Sequence, residues 1–191
     1  MPPSSPALRR KYERRQQEVV AIAAALFARQ GFQATTMDEL SEATGLRSGG
    51  LYHYIGSKQR LLVEIFSQLM DPLLERAAEI ERSDADPETK LRRLVRTWVK
   101  HIEEHLDHMA VFAQERHAIE RRPEWEQVRA ARDRFEAILG RLLADVGVTD
   151  RLQHFALLGM VNHTATWMKP GGRLTAEQIA DGYCDMLLGT S

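Results

Sequence analysis

Cysteine is almost absent from this sequence of 191 residues, in which Cys184 is the only one. A single thiol cannot form an intrachain disulfide, and it excludes a structural zinc site built from four thiolates. A framework without cysteine cross-links is typical of proteins from reducing compartments. We therefore expect a cytoplasmic protein that folds without covalent cross-links.

Long hydrophobic runs are absent as well. No stretch approaches the ~20 apolar residues that a membrane-spanning helix needs. Residues 1–8 combine prolines and serines without the apolar core of a signal peptide. We expect residues 1–8 to form a disordered tail and the remainder to be soluble. A hydrophobic content of 43% is enough for a packed core.

An excess of either charge is also missing, since the formal net charge is −1. The charges are nevertheless unevenly distributed. Residues 1–60 carry nine Lys or Arg and five acidic residues, a balance of +4, whereas residues 61–191 carry 17 basic and 22 acidic residues, a balance of −5. A positive field at one end is typical of a small nucleic-acid-binding domain joined to a larger domain. A solvated charged face is the simpler alternative.

Apolar residues recur at helical spacing in every long segment, and no segment alternates over the length of a strand. The sequence therefore predicts an all-α protein of about nine helices. The expected helices cover residues 9–30, 37–44, 47–55, 58 onward, 87–106, a stretch that ends at an Arg122-Pro123 break, 124–145, 149–168 under a Thr149 cap, and 176 onward.

Two short helices are predicted between Thr36 and Ile55, with local signals at their ends. Thr36 and Glu39 form a capping box, in which each side chain satisfies a free backbone donor at the helix start. Gly45 ends the first helix and Gly56 the second. This size and order indicate a helix-turn-helix motif, whose second helix enters the major groove of DNA. An ordinary helical hairpin has the same geometry, so the identity of the residues must decide.

The residues of this segment resemble the signature of the TetR family of DNA-binding transcription regulators. The positions that match in identity and spacing are Leu40, Ala43, Gly45, Leu46, Gly49, Leu51, Tyr52, His53, Ser57, Lys58 and Leu61. The resemblance is strongest over residues 15–65, and the remainder has the length and helix number of the family. The sequence departs from the family pattern at Arg47, at Tyr54-Ile55 and at Gly49-Gly50. These departures affect the base preference more than the fold.

The resemblance implies a helix-turn-helix DNA-binding domain at residues 9–60 and a ligand-binding and dimerisation domain at residues 61–191. It also implies a homodimer that represses from a palindromic operator until a small-molecule effector releases it. The two helix-turn-helix domains, each called the reader, would then lie about 34 Å apart. Residues 155–161 are apolar on every face, as expected of a helix buried against both its own core and a second copy. A helix buried inside one monomer would have the same composition.

Chemistry assigns roles within the reader. Thr36 and Ser57 start helices, whose free N–H groups and positive dipole ends favour phosphate, and Lys58 adds a full charge. Tyr52 and His53 can donate hydrogen bonds to the DNA backbone. The positions expected to meet base edges are Arg47, Ser48 and Gly50, of which Arg47 can pair bidentately with guanine. The basic segment 9–15 is either an arm on neighbouring phosphates or a solvated first turn.

A narrower resemblance lies near the carboxy terminus. Residues 167–177, with Tyr183 and the Leu188-Gly189 pair, are similar to TetR-type regulators of fatty-acid, steroid and aromatic-acid degradation, which respond to acyl-CoA thioesters. Such an effector needs cations for its phosphates and an apolar slot for its acyl group. The expected ligand-binding residues are Trp98, His105, Met109, Phe112, Phe135, Trp167, Lys169 and Arg173. The alternative is that residues 169–172 only connect two helices and that the aromatic residues are core.

The pentapeptide from His101 to His105 indicates a different class of function. It matches the H-x-x-E-H pattern of inverted zinc peptidases, in which two histidines hold the metal and Glu104 would activate water. Because the motif is short and the TetR signature needs no enzyme, we expect no catalysis, no cofactor and no metal site. A metal-sensing regulator that uses His101, His105 and His108 is the intermediate interpretation.

Overall fold

The computed structural model describes residues 6–119 and 125–189, without the side chains of residues 116–119. Within these ranges the chain forms nine α-helices and no strand, which confirms the all-α prediction. The helices are α1 Pro6–Gln30, α2 Met37–Thr44, α3 Ser48–Ile55, α4 Lys58–Arg82, α5 Pro87–Glu104, α6 Leu106–Ile119, α7 Glu126–Asp145, α8 Arg151–Trp167 and α9 Ala176–Leu188. None of the helices in these ranges is long and apolar enough to cross a membrane.

Capping interactions set the ends of the short helices. Thr36 Oγ1 accepts a hydrogen bond from the Glu39 N–H at 3.2 Å, and the Glu39 carboxylate accepts one from the Thr36 N–H at 2.7 Å, so the predicted capping box is present. Gly45 ends α2 with a φ of 66°, which glycine adopts at little cost. Ser57 Oγ accepts from the Arg60 N–H at 3.1 Å and starts α4. These caps fix the length of the turns on both sides of α3.

Two predicted helix starts are wrong. α1 begins at Pro6 rather than at residue 9, so the segment expected to be a tail is helical from Pro6 onward. Proline is favourable in a first turn because it lacks the N–H that would be unpaired there. The N-cap residue of α8 is Asp150 rather than Thr149, because the Asp150 carboxylate accepts a hydrogen bond from the Leu152 N–H at 2.8 Å. Aspartate ranks above threonine as a capping residue.

The helix predicted over residues 87–106 is interrupted near its end. α5 ends at Glu104, His105 adopts φ −130° and ψ 37°, and α6 begins at Leu106. His105 Nδ1 donates a hydrogen bond to the His101 carbonyl at 2.9 Å, which satisfies an acceptor in the last turn of α5. Since the break contains neither glycine nor proline, the local sequence gives no sign of it. The predicted Arg122-Pro123 break lies outside the described residues.

One continuous helix, α4, connects two hydrophobic cores. The first core lies among α1, α2, α3 and the first half of α4, and Phe27 and Phe66 are fully buried in it. Val111, Trp125 and Val128, from α6 and the start of α7, are buried in the same core. The second core lies between the other half of α4 and α5, α7, α8 and α9. The predicted boundary at residue 60 therefore falls where α4 begins, within a shared core.

Ion pairs fix α9 against α5. Arg96 donates to both carboxylate oxygens of Asp181, at 2.7 and 2.9 Å, and Arg92 pairs with Asp185 at 2.8 Å. The hydrogen bond from Arg96 lowers the pKa of Asp181. The only cysteine, Cys184, is buried on α9, and burial raises the pKa of its thiol to about 11. This thiol is therefore protonated and unreactive at neutral pH.

Candidate nucleic-acid interface and internal cavity

α3 buries one side and exposes the other. Leu51 and Ile55 are buried in the first core, whereas Tyr52 is 48% exposed. Arg47 precedes the helix in an extended conformation without a side-chain capping bond, and both Arg47 and Ser48 are exposed. A long cation at the exposed start of such a helix has the reach to contact base edges. Two of the three predicted base-reading positions, Arg47 and Ser48, therefore lie on one accessible surface.

The remaining reader positions lie beside this surface. His53 is exposed, and Gly50 is partly buried. A Cβ added at Gly50 would meet no atom within 4 Å, so the fold itself does not require a glycine here. The absence of a side chain leaves room for a close approach by another molecule.

α1 supports the last turn of α3. The Tyr12 hydroxyl donates to the His53 carbonyl at 3.1 Å, and Gln16 Nε2 donates to the Tyr54 carbonyl at 3.4 Å. The Tyr12 ring also stacks on Tyr54, with 4.9 Å between centroids. Carbonyls in a last turn have no helical donor of their own. These contacts of Tyr12 and Gln16 were not predicted from the sequence. The only indication in the sequence is that Tyr12 is an aromatic residue within a basic, polar segment.

The start of α4 suits phosphate better than the start of α2. α4 has no acidic residue in its first turn and begins with Lys58, whereas α2 has Asp38 and Glu39 there. The backbone hydrogen bond from Thr36 lowers the pKa of Glu39, so this carboxylate is ionised at neutral pH. Because an ionised carboxylate repels phosphate, electrostatics favour Ser57 and Lys58 over Thr36 as the anion site.

Lys58 has a structural role in addition to its charge. Its Nζ donates to the Gln33 carbonyl at 3.3 Å and lies 4.5 Å from the centre of the Phe32 ring. Burial lowers the pKa of Lys58, and the carboxylates of Glu115 and Glu39 partly offset this effect. The ammonium group therefore holds the segment after α1 in the free chain.

The basic segment 9–15 belongs to the start of α1. Arg15 donates to the Thr44 carbonyl at 2.8 Å and pairs with Glu18 at 2.9 Å, which ties α1 to the end of α2. Arg9 and Arg10 are exposed in the same helix. Within the described residues this segment is thus helical, and Arg15 is a packing contact of the reader.

A cavity of about 60 Å³ lies in the second core, between α4, α5, α6, α7 and α8. Four of the predicted ligand-binding residues line it, namely Trp98, Met109, Phe112 and Phe135. The rings of Trp98 and Phe135 meet edge to face, with 4.9 Å between centroids. The structure thus brings together four of the five apolar residues of the predicted ligand site, without Trp167.

Polar side chains that were not assigned to the ligand site also line this cavity. They are His101, Arg132, Glu136 and Asn162. Among the described residues, Arg132 Nε is buried without a hydrogen-bond partner, and a Glu136 carboxylate oxygen lies 3.6 Å from it. The guanidinium group is partly exposed and paired with Glu136, so its Nε–H is left as a free donor that a ligand oxygen in the cavity can accept from.

The other four predicted ligand-binding residues do not line the cavity. Trp167, Lys169 and Arg173 line a separate surface pocket of about 250 Å³ at the turn between α8 and α9. This turn follows the end of α8 and directs the three side chains to the surface. His105 lies at the break between α5 and α6, where its bond to the His101 carbonyl holds it. Within one chain, the predicted cations and the apolar slot are therefore apart.

An open groove of about 480 Å³ adjoins the cavity along α6 and α8. Met109, Phe112, Leu158 and Asn162 line both the groove and the cavity. These shared residues form the boundary between a surface depression and an internal space. A molecule in the groove could therefore insert one end into the cavity if these side chains moved apart.

α8 buries one face and exposes an apolar one. Leu157, Val161 and Thr164 are buried, as the helical spacing requires. The exposed large apolar side chains of α8 and α9 are Leu152, Phe155, Trp167 and Met186. The apolar composition of residues 155–161 is thus only partly covered within one chain. Exposed apolar side chains grouped on two helices mark an interaction surface.

These features define a class of protein, a ligand-responsive transcription regulator with a helix-turn-helix reader joined by one helix to a domain with an internal cavity. The model for "Bacterial regulatory proteins, tetR family" matches residues 19–65, and that for "Tetracyclin repressor-like, C-terminal domain" matches residues 84–190. The chain belongs to the TetR family of transcriptional regulators.

Relatives match along almost the whole chain. The HTH-type transcriptional repressor KstR2 of Mycobacterium tuberculosis is 27% identical over 183 residues, 92% of each chain. The structure of this ketosteroid transcriptional regulator gives a TM-score of 0.82 over 92% of this chain and 93% of that one, at 26% identity. PfmR from Thermus thermophilus is 30% identical over 90% and 97% of the chains, with a TM-score of 0.78. AibR, solved with isovaleryl coenzyme A and operator DNA, is 28% identical over 91% and 98%, with a TM-score of 0.76.

Proposed function

We propose that this regulator is a repressor that leaves its operator when the acyl group of a coenzyme A thioester enters the cavity. Residues 9–60 would bind DNA, and residues 61–191 would bind the effector and a second copy of the chain. The observation that carries the proposal is an apolar cavity with an adjoining open groove, placed against the helix that holds the reader. The complex of AibR with isovaleryl coenzyme A and operator DNA supports this chemistry.

The size of the cavity favours a short acyl group. A volume of about 60 Å³ has room for only a few groups the size of a water molecule. A small branched acyl group needs a modest expansion of this space, whereas a fused ring system needs a large one. Arg132 and Asn162 offer donors for the thioester carbonyl, and the groove offers space for the rest of the coenzyme. Lys169 and Arg173 line a separate pocket. They would contact the phosphates only if the bound ligand extended along the surface to that pocket.

For DNA we propose two sets of contacts. Arg47, Ser48 and Gly50 meet base edges, because they lie at the start of α3, where Arg47 and Ser48 are exposed and Gly50 has no side chain to keep the DNA away. The phosphate contacts are Thr36, Tyr52, His53, Ser57 and Lys58, with the start of α4 as the strongest site. Two such readers on a palindrome require a homodimer, and the exposed apolar face of α8 and α9 is the surface we assign to it.

The test begins with the operator, which is selected from a random DNA pool and labelled for fluorescence anisotropy. The bound complex is then titrated with coenzyme A thioesters of increasing acyl size, with the free acids and coenzyme A as controls. We expect release by short acyl thioesters and no release by the free acids. If no thioester releases the operator or raises the melting temperature, the effector assignment is wrong.

A variant at the boundary of the cavity makes this test specific. Leu158 lines both the groove and the cavity, so Leu158→Trp should block entry of the acyl group without touching the reader. Leu158→Met conserves volume and is the matched control. We expect the tryptophan variant to bind the operator normally and to lose its response to the thioester.

We also propose that the chain has no catalytic role. The family to which it belongs consists of transcriptional regulators, and the H-x-x-E-H pattern is interrupted, because α5 ends at Glu104 and His105 lies at the break before α6. Peptidase and esterase assays with zinc-loaded protein test this point, and turnover that disappears with Glu104→Gln would contradict it.

A further inference from the structure

Three metal-binding side chains converge where α5 gives way to α6. His101, Glu104 and His105 each offer a donor atom, and these three atoms lie within 4.8 Å of one another. The two imidazole rings are 4.2 Å apart between centroids. Two imidazoles and one carboxylate form a ligand set that first-row divalent metals accept, and it leaves at least one coordination position open.

Backbone hydrogen bonds prepare both histidines for this role. His101 Nε2 lies 2.8 Å from the Leu69 carbonyl, and His105 Nδ1 lies 2.9 Å from the His101 carbonyl. A carbonyl can only accept, so each of these ring nitrogens carries the proton. The other nitrogen of each ring, Nδ1 of His101 and Nε2 of His105, therefore has a lone pair available for a metal. A ligand histidine held through its second nitrogen is the usual arrangement in metal sites.

A third histidine stands beside the group without a partner. His108 is 7% exposed, and among the described residues its Nε2 has no hydrogen-bond partner. Its ring centroid is 5.4 Å from that of His105. Burial lowers the pKa of His108 to about 4, so the ring is neutral at pH 7 and its unpartnered nitrogen is a cost to the fold.

Closing the site requires the donor atoms to move together. Zinc binds imidazole at about 2.0–2.1 Å, so the donors of a tetrahedral site lie about 3.3 Å apart, closer than the 4.8 Å that spans this group. Glu104 is exposed, and the one ion pair of its carboxylate in the described chain is to Lys100, at 3.9 Å. Its carboxylate can turn toward the histidines without breaking a strong contact.

We propose that His101, Glu104 and His105 bind a divalent transition metal, with Zn²⁺ the best match, and that the occupied site shifts operator affinity. The route to DNA is short, because His101 contacts the Leu69 carbonyl of α4 and the first residue of α4 is Lys58. Pro72 lies three residues beyond Leu69 and interrupts the hydrogen bonding of this helix. His101 therefore contacts α4 one turn from the position where Pro72 lacks a backbone donor.

The binding test uses the full chain without a histidine tag, stripped with a chelator and dialysed against Zn²⁺ or against Co²⁺ as a spectroscopic probe. We expect one ion per chain and visible d–d absorption from Co²⁺ bound with imidazole ligands. His101→Gln and His105→Gln should each weaken binding by roughly tenfold or more. His154→Gln removes a histidine outside the group and should leave binding unchanged.

Two further measurements complete the design. Glu104→Gln changes an exposed residue, so it keeps the fold and tests the carboxylate even if a histidine variant unfolds. Operator affinity with and without Zn²⁺ should differ by about fivefold or more, and the difference should vanish in Glu104→Gln. Absence of stoichiometric metal, or equal binding by all four variants, overturns the site. Stoichiometric binding without any change in operator affinity overturns its regulatory role. Neither outcome bears on the acyl thioester, which is tested without metal.

Discussion

Replacing Lys58 tests whether its ammonium group binds phosphate or only supports the fold. In the free protein Nζ contacts the Gln33 carbonyl at 3.3 Å and the Phe32 ring at 4.5 Å. A cation over an aromatic ring is worth ~0.5–1 kcal/mol, and a hydrogen bond to a carbonyl adds about 0.5–1 kcal/mol. Lys58→Met keeps the apolar stem and removes these two contacts. We expect a loss of about 1–2 kcal/mol, which lowers the melting temperature by roughly 2–8 °C.

The phosphate contact has a separate signature. Removing one contact should reduce the slope of log K against log salt by about 0.9, for operator and non-specific DNA alike. The assay is fluorescence anisotropy across a range of salt concentrations, on variant protein shown by circular dichroism to be folded. Arg76→Ala, which removes an exposed cation of α4 paired with Glu79, should leave the slope unchanged. An unchanged slope in folded Lys58→Met would refute the phosphate role and leave only the structural one.

Three other perturbations test the reader, the cavity and the ion pairs. Arg47→Ala should relax the preference at one base position by about 1–3 kcal/mol while the salt slope falls little, as measured by competition among single-base operator variants. Phe135→Leu should enlarge the cavity, destabilise the protein by about 1–2 kcal/mol, and move the acyl preference in the release assay toward longer chains. Arg96→Gln removes the partner that lowers the pKa of Asp181. A carboxyl whose pKa is depressed in the folded state stabilises the fold above its unfolded pKa of about 3.9. The free energy of unfolding of the wild type should therefore exceed that of the variant by roughly 0.5 kcal/mol from pH 5 to 7. This difference should shrink as the pH falls through the folded pKa, and urea unfolding at several pH values measures it.

The reader could be predicted well because its signals are local. The capping box at Thr36, the left-handed Gly45 and the Ser57 cap each depend on residues within one turn, so the sequence alone contains them. Lys58 shows the limit of this reasoning. Its charge was evident, but its contacts with Phe32 and Gln33 depend on packing between segments that are far apart in sequence.

The effector site was only half predictable for the same reason. Aromatic residues such as Trp98 and Phe135 are natural choices for an apolar slot, and they do line the cavity. Arg132 and Asn162 resemble ordinary surface residues in the sequence, and only the packing of α7 and α8 turns them inward. Conversely, Lys169 and Arg173 have the charge that the phosphates of coenzyme A need, but they lie after the end of α8 and line a separate pocket.

The shared first core makes the DNA reader inseparable from the rest of the chain. Phe66, at the middle of α4, packs against Phe112 and Trp125, with centroids 5.4 and 5.2 Å away. A fragment cut after α4 would expose this face of Phe66 together with the groove vacated by Val111 and Val128. A chimera that transplants the reader onto another sensing domain would therefore have to carry matching residues from α6 and the start of α7. We expect a chimera to keep operator binding only if it carries this shared core as one packed unit.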